Sequence, residues 1–199
     1  MTHAAVIGAG SWGTALAKVL ADKGERVRLW ARDAAHVAQM RETHENGRYL
    51  PGIRLPDELV PTSDLAHAIH GASLVLVVVP SHTLRDNVRK MRELGLPEGV
   101  PIVSASKGIE NESLQLMSEV LEEELPTRFH GSLAYLSGPS FAKEVARGQP
   151  AAIVLASHHA KLAEELQVRF SSERMRAYAN TDVVGVEVGG ALKNVIAIA

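Results

Sequence analysis

The groups able to do chemistry in this chain sit on a few lysines and turns. Lys107, in "VSASKGIE", follows a strand-like run and precedes a glycine, so it should project from the carboxyl edge of a sheet, where such folds hold their ligands. Gly185, Gly189, Lys193 and Ala197 recur every fourth residue of a helical pattern, leaving one face bare except for a single ammonium. Glycine costs about 1 kcal/mol in a helix interior, so the run has two readings. Either a ligand approaches closely and Lys193 stands over a cavity, or the face is a packing seam from which the lysine snorkels outward. "SGPSFAKE", with Gly138 and Ser140, also follows a strand-like run and opens a helix. It offers N–H groups and a hydroxyl to an anionic or polyol ligand, or it is an ordinary turn with a serine cap.

"AAVIGAGSWGTALAKVL" places Gly8, Gly10 and Gly13 as G-x-G-x-x-G between a strand and a helix. In that context Gly8 permits the tight turn, Gly10 lets a pyrophosphate approach the backbone, and Gly13 allows close helix–strand packing. Trp12, inside the turn, is either a core plug or a shield over the nucleotide. The strand-like "RVRLWARD" ends at Ala31 and Arg32, and a guanidinium there suits the 2′-phosphate of NADP. A solvated surface arginine is the plain alternative, and Asp33 beside it would allow NAD. The expected cofactor is NADP, or NAD. His67 with His70, and His158 with His159, each make at most half of a metal site, so no metal is expected.

Positioning these groups requires alternation, and the chain alternates. "AAVIGAG", "RVRLWAR", "SLVLVVVP", "PIVSASK", "LAYLSG" and "AAIVLAS" read as strands. The segments between them, including 11–24, 34–46, 63–71, 81–95, 112–125 and 158–172, carry apolar residues at helical spacing. This pattern predicts an α/β fold, a doubly wound mostly parallel sheet of Rossmann type. Residues 46–62, rich in proline and glycine, read as an irregular excursion with one short strand near Leu59. "TDVVGVEVGGALKNVIAIA" reads as a helix capped by Thr181 or Asp182, and its ending without glycine, proline or a basic turn looks cut.

Of 199 residues 22% are charged, and the net charge of −2 has both signs scattered, so neither a nucleic-acid partner nor an anionic membrane surface is expected. Cysteine is absent, which excludes disulfides and thiolate chemistry and fits a cytoplasmic location. The longest apolar run, "LVLVVVP", is far short of the roughly 20 residues of a membrane span. The start "MTHAAVIGAG" lacks the pattern of a secretory leader.

Taken together, "VIGAGSWGTALA", "VVVPSH", "SASKGIE", "SGPSFAKE" and "GVEVGGALKNVIAIA" resemble, in order and spacing, the bacterial-type NAD(P)-dependent glycerol-3-phosphate dehydrogenases. The resemblance implies an NAD(P)-binding Rossmann-type domain over 1–181. Residues 182–199 would then be the first helix of a C-terminal substrate domain, whose phosphate-gripping Arg-Asn segment and acidic residue near the catalytic lysine lie beyond this chain. It implies interconversion of dihydroxyacetone phosphate and sn-glycerol 3-phosphate for phospholipid synthesis. By motif, Ser11, Trp12, Arg32, Tyr49, Lys107 and Ala142 would contact the cofactor. Lys107, Gly138, Ser140 and Lys193 would contact substrate, with Lys193 as proton donor and acceptor. An exposed apolar last helix would allow a homodimer. The alternatives are a dehydrogenase of another small hydroxy acid or sugar phosphate, and a non-catalytic NAD(P)-binding module.

Overall fold

The structure, a computed structural model, describes residues 2–198 and, for side chains, leaves 193–197 aside. Its strands are β1 (His3–Ile7), β2 (Val27–Trp30), β3 (Leu59–Thr62), β4 (Ala72–Val77), β5 (Ile102–Ser104), β6 (Leu133–Ser137), β7 (Ala151–Ala156) and β8 (Met175–Asn180). They form one sheet of order β3-β2-β1-β4-β5-β6-β7-β8. All neighbours run parallel except β6 and β7. The helices are α1 (Ser11–Asp22), α2 (Ala34–Thr43), α3 (Leu65–Ile69), α4 (Ser81–Glu93), α5 (Met117–Glu124), α6 (Ala142–Ala146), α7 (Ala160–Phe170) and α8 (Val183–Ile198).

Side-chain alternation along the strands divides the interior into two layers. Ala4 and Val6 of β1, with Leu74 and Leu76 of β4, join Leu16 and Leu20 of α1 and Leu166 of α7 on one face. The intervening Ala5, Ile7, Val75 and Val77 meet Leu84 and Val88 of α4 and Leu121 of α5 on the other. Both faces are covered, which is why the central strands read as unbroken apolar runs.

The expected mostly parallel, doubly wound sheet is present, and so is the strand near Leu59. β8, unread in the sequence, is an edge strand: Met175 and Ala177 are buried while Arg176 and Tyr178 face outward. It becomes a strand by parallel pairing with β7 along its whole length. The helix expected over 112–125 starts only at Met117. Upstream, Leu114 takes φ 60°, and Glu119 reaches back to accept from the Leu116 N–H at 2.7 Å, which fixes the start of α5. α4 and α5 are joined through Glu124, whose carboxylate accepts from Arg85 Nη1 at 2.6 Å and from Arg89 Nε and Nη2 at 2.8 and 2.7 Å.

Candidate functional site

The loops that follow β1, β4, β5 and β6 gather at the carboxyl edge of the sheet, at the point where chain order reverses on either side of β1. Gly8, at φ +119°, makes the first turn, and a Cβ on it would lie 2.2 Å from the Val78 carbonyl oxygen. A Cβ on Gly13 would lie 1.9 Å from Gly8 O, so α1 rests directly on the turn. Around Gly10, by contrast, nothing stands within 4 Å of the Cβ position. Gly10 is the N-cap of α1, with no side-chain cap and no acidic residue in the first turn. The first N–H groups of α1 therefore have no capping side chain, and the space beside Gly10 is open.

An open cleft of about 410 Å³ runs from this turn past Val78–Pro80 and Ala105–Lys107 to Ser140–Ala142. It brings together Gly10, Ser11, Trp12, Gly13, Lys107, Ser140 and Ala142, residues from three separate motifs. Lys107 Nζ donates to Gly138 O at 3.0 Å and stands 5.9 Å from the Trp12 ring centroid, linking all three. Trp12 packs against the core, so the plug reading holds in part, yet its buried Nε1 has no hydrogen-bond partner.

The structure decides against the serine cap and shows where α8 meets the sheet. Ser140 does not cap α6: its hydroxyl donates to Ala152 O at 2.9 Å, and Phe141 occupies the cap position. On α8 the close approach falls at Gly190, where a Cβ would lie 2.6 Å from Ser137 Oγ, whereas the Cβ position of Gly189 opens to space. Gly185 instead accommodates the cap, its N–H donating to Asp182 Oδ1 at 2.8 Å. Lys193 falls within α8, but its side chain lies outside the described residues.

Arg32 and Tyr49 do not line the cleft. Arg32 is exposed just after β2, and Asp33 beside it caps α2 by accepting from the N–H groups of Ala35 and His36. The His36 N–H, with Ala35 and the Arg48 guanidinium 3.5 Å away, holds the Asp33 carboxyl below the usual range. Tyr49 lies in the irregular loop, its ring edge-on to His36 and under the Arg48 guanidinium.

Two residues missed in the sequence complete the region. Asn46, fully buried, donates from Nδ2 to Ala9 O at 2.9 Å and to Thr14 Oγ1 at 2.8 Å. Its Oδ1 meets His36 Nε2 at 2.9 Å and accepts from the Tyr49 N–H at 3.2 Å. Every hydrogen-bonding capacity of that amide is used, and together they pin the loop to the glycine turn. The only signal was its place at the head of the proline-rich stretch. Glu187 of α8 is the second; its carboxylate accepts from the N–H and hydroxyl of Ser118 at the start of α5. Burial pushes this carboxyl above the usual range, and the Ser118 bonds oppose that rise. Among the described residues no three histidine, aspartate or glutamate side chains converge on a metal position.

The fold and cleft define a doubly wound domain of the dinucleotide-binding class, with an ammonium at the far wall. Residues 3–163 match the family model described as NAD-dependent glycerol-3-phosphate dehydrogenase N-terminus. A glycerol-3-phosphate dehydrogenase [NAD(P)+] of Myxococcus xanthus is 52% identical over 194 residues, 98% of this chain and 58% of the relative. That of Leptospira biflexa is 49% identical over the same shares. The crystal structure of glycerol-3-phosphate dehydrogenase from Coxiella burnetii superimposes with a TM-score of 0.90 at 40% identity, over 99% of this chain and 59% of that one. The chain belongs to the NAD-dependent glycerol-3-phosphate dehydrogenase family and spans 58% of the length of these curated relatives.

Proposed function

We propose that this chain is the cofactor-binding part of an oxidoreductase that interconverts dihydroxyacetone phosphate and sn-glycerol 3-phosphate with NAD(P)H, supplying glycerol 3-phosphate for phospholipid synthesis. The observation that carries the reading is the Lys107 ammonium, hydrogen-bonded to Gly138 O at the wall of the cleft whose floor is the glycine turn. Gly8 and Gly13 build that floor, and Gly10, Ser11 and Trp12 present the N–H groups that would hold a diphosphate. Ala142 would complete the wall, with Arg32 and Tyr49 at the adenosine end. The fit is supported by the open space at Gly10 and by the uncapped start of α1. When bound, the reduced nicotinamide supplies the hydride.

The remaining steps belong to the chain. Lys107, Gly138 and Ser140 orient the carbonyl-bearing substrate, and the Lys107 charge stabilises developing negative charge on its oxygen, worth a few kcal/mol in a water-poor site. Lys193 as its ammonium gives a proton to that oxygen and as its neutral amine takes it back in reverse; a nearby cation brings its pKa down towards the working pH, as a role in both directions requires. The domain division follows: 1–181 bind the cofactor and 182–199 begin the substrate domain. Arg32, together with an Asp33 already engaged as a cap, supports NADP over NAD. Among the described residues no helix is long and apolar enough to cross a membrane. A cytoplasmic enzyme, forming a homodimer through the apolar side of α8, fits this reading.

The test is NADPH oxidation by the protein at its natural length, with dihydroxyacetone phosphate beside a panel of other keto acids and sugar phosphates. Turnover confined to dihydroxyacetone phosphate supports the proposal. Cofactor binding without turnover on any substrate refutes it and favours a non-catalytic nucleotide-binding module.

A further inference from the structure

Beneath the Lys107 edge the structure leaves two hydroxyls unsatisfied. Ser104 Oγ, at the end of β5, and Tyr135 Oη, in β6, are buried without any hydrogen-bond partner, and both residues are 2% exposed. Native interiors rarely leave such groups unpaired, because each has surrendered its bonds to water. Both residues line one small cavity, shared with Glu187 and Gly190 of α8 and with Ser106 and Lys107. The cavity measures about 10 Å³, room for a single water and nothing larger.

The hydrogen-bonding chemistry of the walls is complementary to that one molecule. Burial, reinforced by the charges of Glu122 and Glu187, pushes the Tyr135 hydroxyl well above its ordinary pKa, so it keeps its proton and is free to donate it in a hydrogen bond. Glu187 can only accept while ionised, and each of its oxygens retains a lone pair beyond the bond it takes from Ser118. Ser104 can donate or accept. A direct Tyr135–Glu187 bond is not made. A water has the donors and acceptors to connect all three, and three bonds is the usual complement of an internal water.

We propose that a single internal water is bound between β5, β6 and α8, accepting from Tyr135, donating to Glu187 and sharing a third hydrogen bond with Ser104. Its consequence concerns α8. Glu187 already ties that helix to α5 through Ser118, and Gly190 lets it settle on Ser137; the water adds a tie to both central strands. Lys193 lies six residues further along the same helix, so Tyr135 and Glu187 are positioning residues for it. That second part rests on the proton-transfer role proposed above, whereas the water site itself does not.

The test uses the protein at its natural length. A high-resolution crystal structure should show density for one water within hydrogen-bond reach of Tyr135 Oη and Ser104 Oγ, and Tyr135→Phe should lose it. Tyr135→Phe, which keeps the ring, should lower kcat with dihydroxyacetone phosphate by about fivefold while KM for NADPH stays within about twofold, a split that a general loss of fold would not produce. Ser104→Ala, which removes only the hydroxyl oxygen, should move kcat in the same direction by less. A dry cavity in which both hydroxyls turn to protein partners overturns the site. An unchanged kcat in folded Tyr135→Phe overturns the positioning role. If the unmodified protein does not oxidise NADPH with dihydroxyacetone phosphate, the functional reading falls while the crystallographic water still decides the site.

Discussion

Replacing Asn46 should loosen the cofactor cleft from a position that no cofactor atom is expected to touch. Asn46→Ala strips the buried Ala9 carbonyl and Thr14 hydroxyl of their donor, leaves His36 Nε2 without its partner and leaves the Tyr49 N–H only the residue-46 carbonyl at 3.3 Å. Buried groups left unpaired cost about 1–3 kcal/mol each, but Thr14 can rotate and the loop can admit water, so a net loss of about 3 kcal/mol is expected. For a chain of this size that corresponds to a melting temperature lower by roughly 6–12 °C. Since the Ala9 carbonyl belongs to the glycine turn itself, NADPH affinity should fall about tenfold, or about 1.4 kcal/mol. Asn46→Asp sharpens the test because it keeps the shape and replaces the Nδ2 donor by an oxygen facing Ala9 O. A carboxyl buried there has its folded pKa raised, so the penalty is full at neutral pH and shrinks as pH falls towards the ordinary aspartate value. Differential scanning fluorimetry across pH, with and without NADPH, reads all of these. Asn46→Ala with an unchanged melting temperature and unchanged NADPH affinity would refute the claim that this amide holds the turn.

Gly13→Ala should cost about 1–3 kcal/mol by overpacking and weaken nucleotide binding, since its methyl would lie 1.9 Å from Gly8 O unless α1 lifts off the turn; a titration by tryptophan fluorescence measures it. Lys193→Ala, in the natural-length protein, should abolish turnover in a coupled absorbance assay while NADPH binding stays within about twofold, since a residue acting in proton transfer leaves uniform binding intact. Glu124, held by Arg89 and Arg85, and Glu110, held by Arg85, have carboxyls below the ordinary value of 4.5. Their contribution is fully present above that pH and is lost as pH falls through the lower folded value. Glu124→Gln should therefore flatten the acid side of a melting-temperature profile, and should lower stability at neutral pH by about 1–3 kcal/mol through weakened bonds to two guanidinium groups.

Much of the cofactor cleft was legible because its signals are local. The spacing of Gly8, Gly10 and Gly13 follows from a backbone that must turn sharply and admit both a helix and a ligand, a requirement contained within one short segment. Lys107 and Ser140 were placed at the sheet edge by the strands just before them. The every-fourth-residue pattern on α8 did not mark Gly190 as the glycine that meets β6, because helical spacing says nothing about which turn reaches the sheet. Residues 175–180 gave no strand signal, since an edge strand with one exposed face needs its neighbour more than its own propensity.

The sequence by itself determined the alternating α/β architecture, the tight glycine turn between β1 and α1 and the two lysines worth testing, because side-chain period and glycine conformation act over a few residues. Only the tertiary structure decided that Asn46 would reach Ala9 and Thr14, that Lys107 would bond to Gly138, and that Glu187 would settle on Ser118. These pairs are 37, 32, 31 and 69 residues apart. Such contacts depend on how strands order themselves in the sheet and which helix end arrives opposite, and no local spacing encodes that.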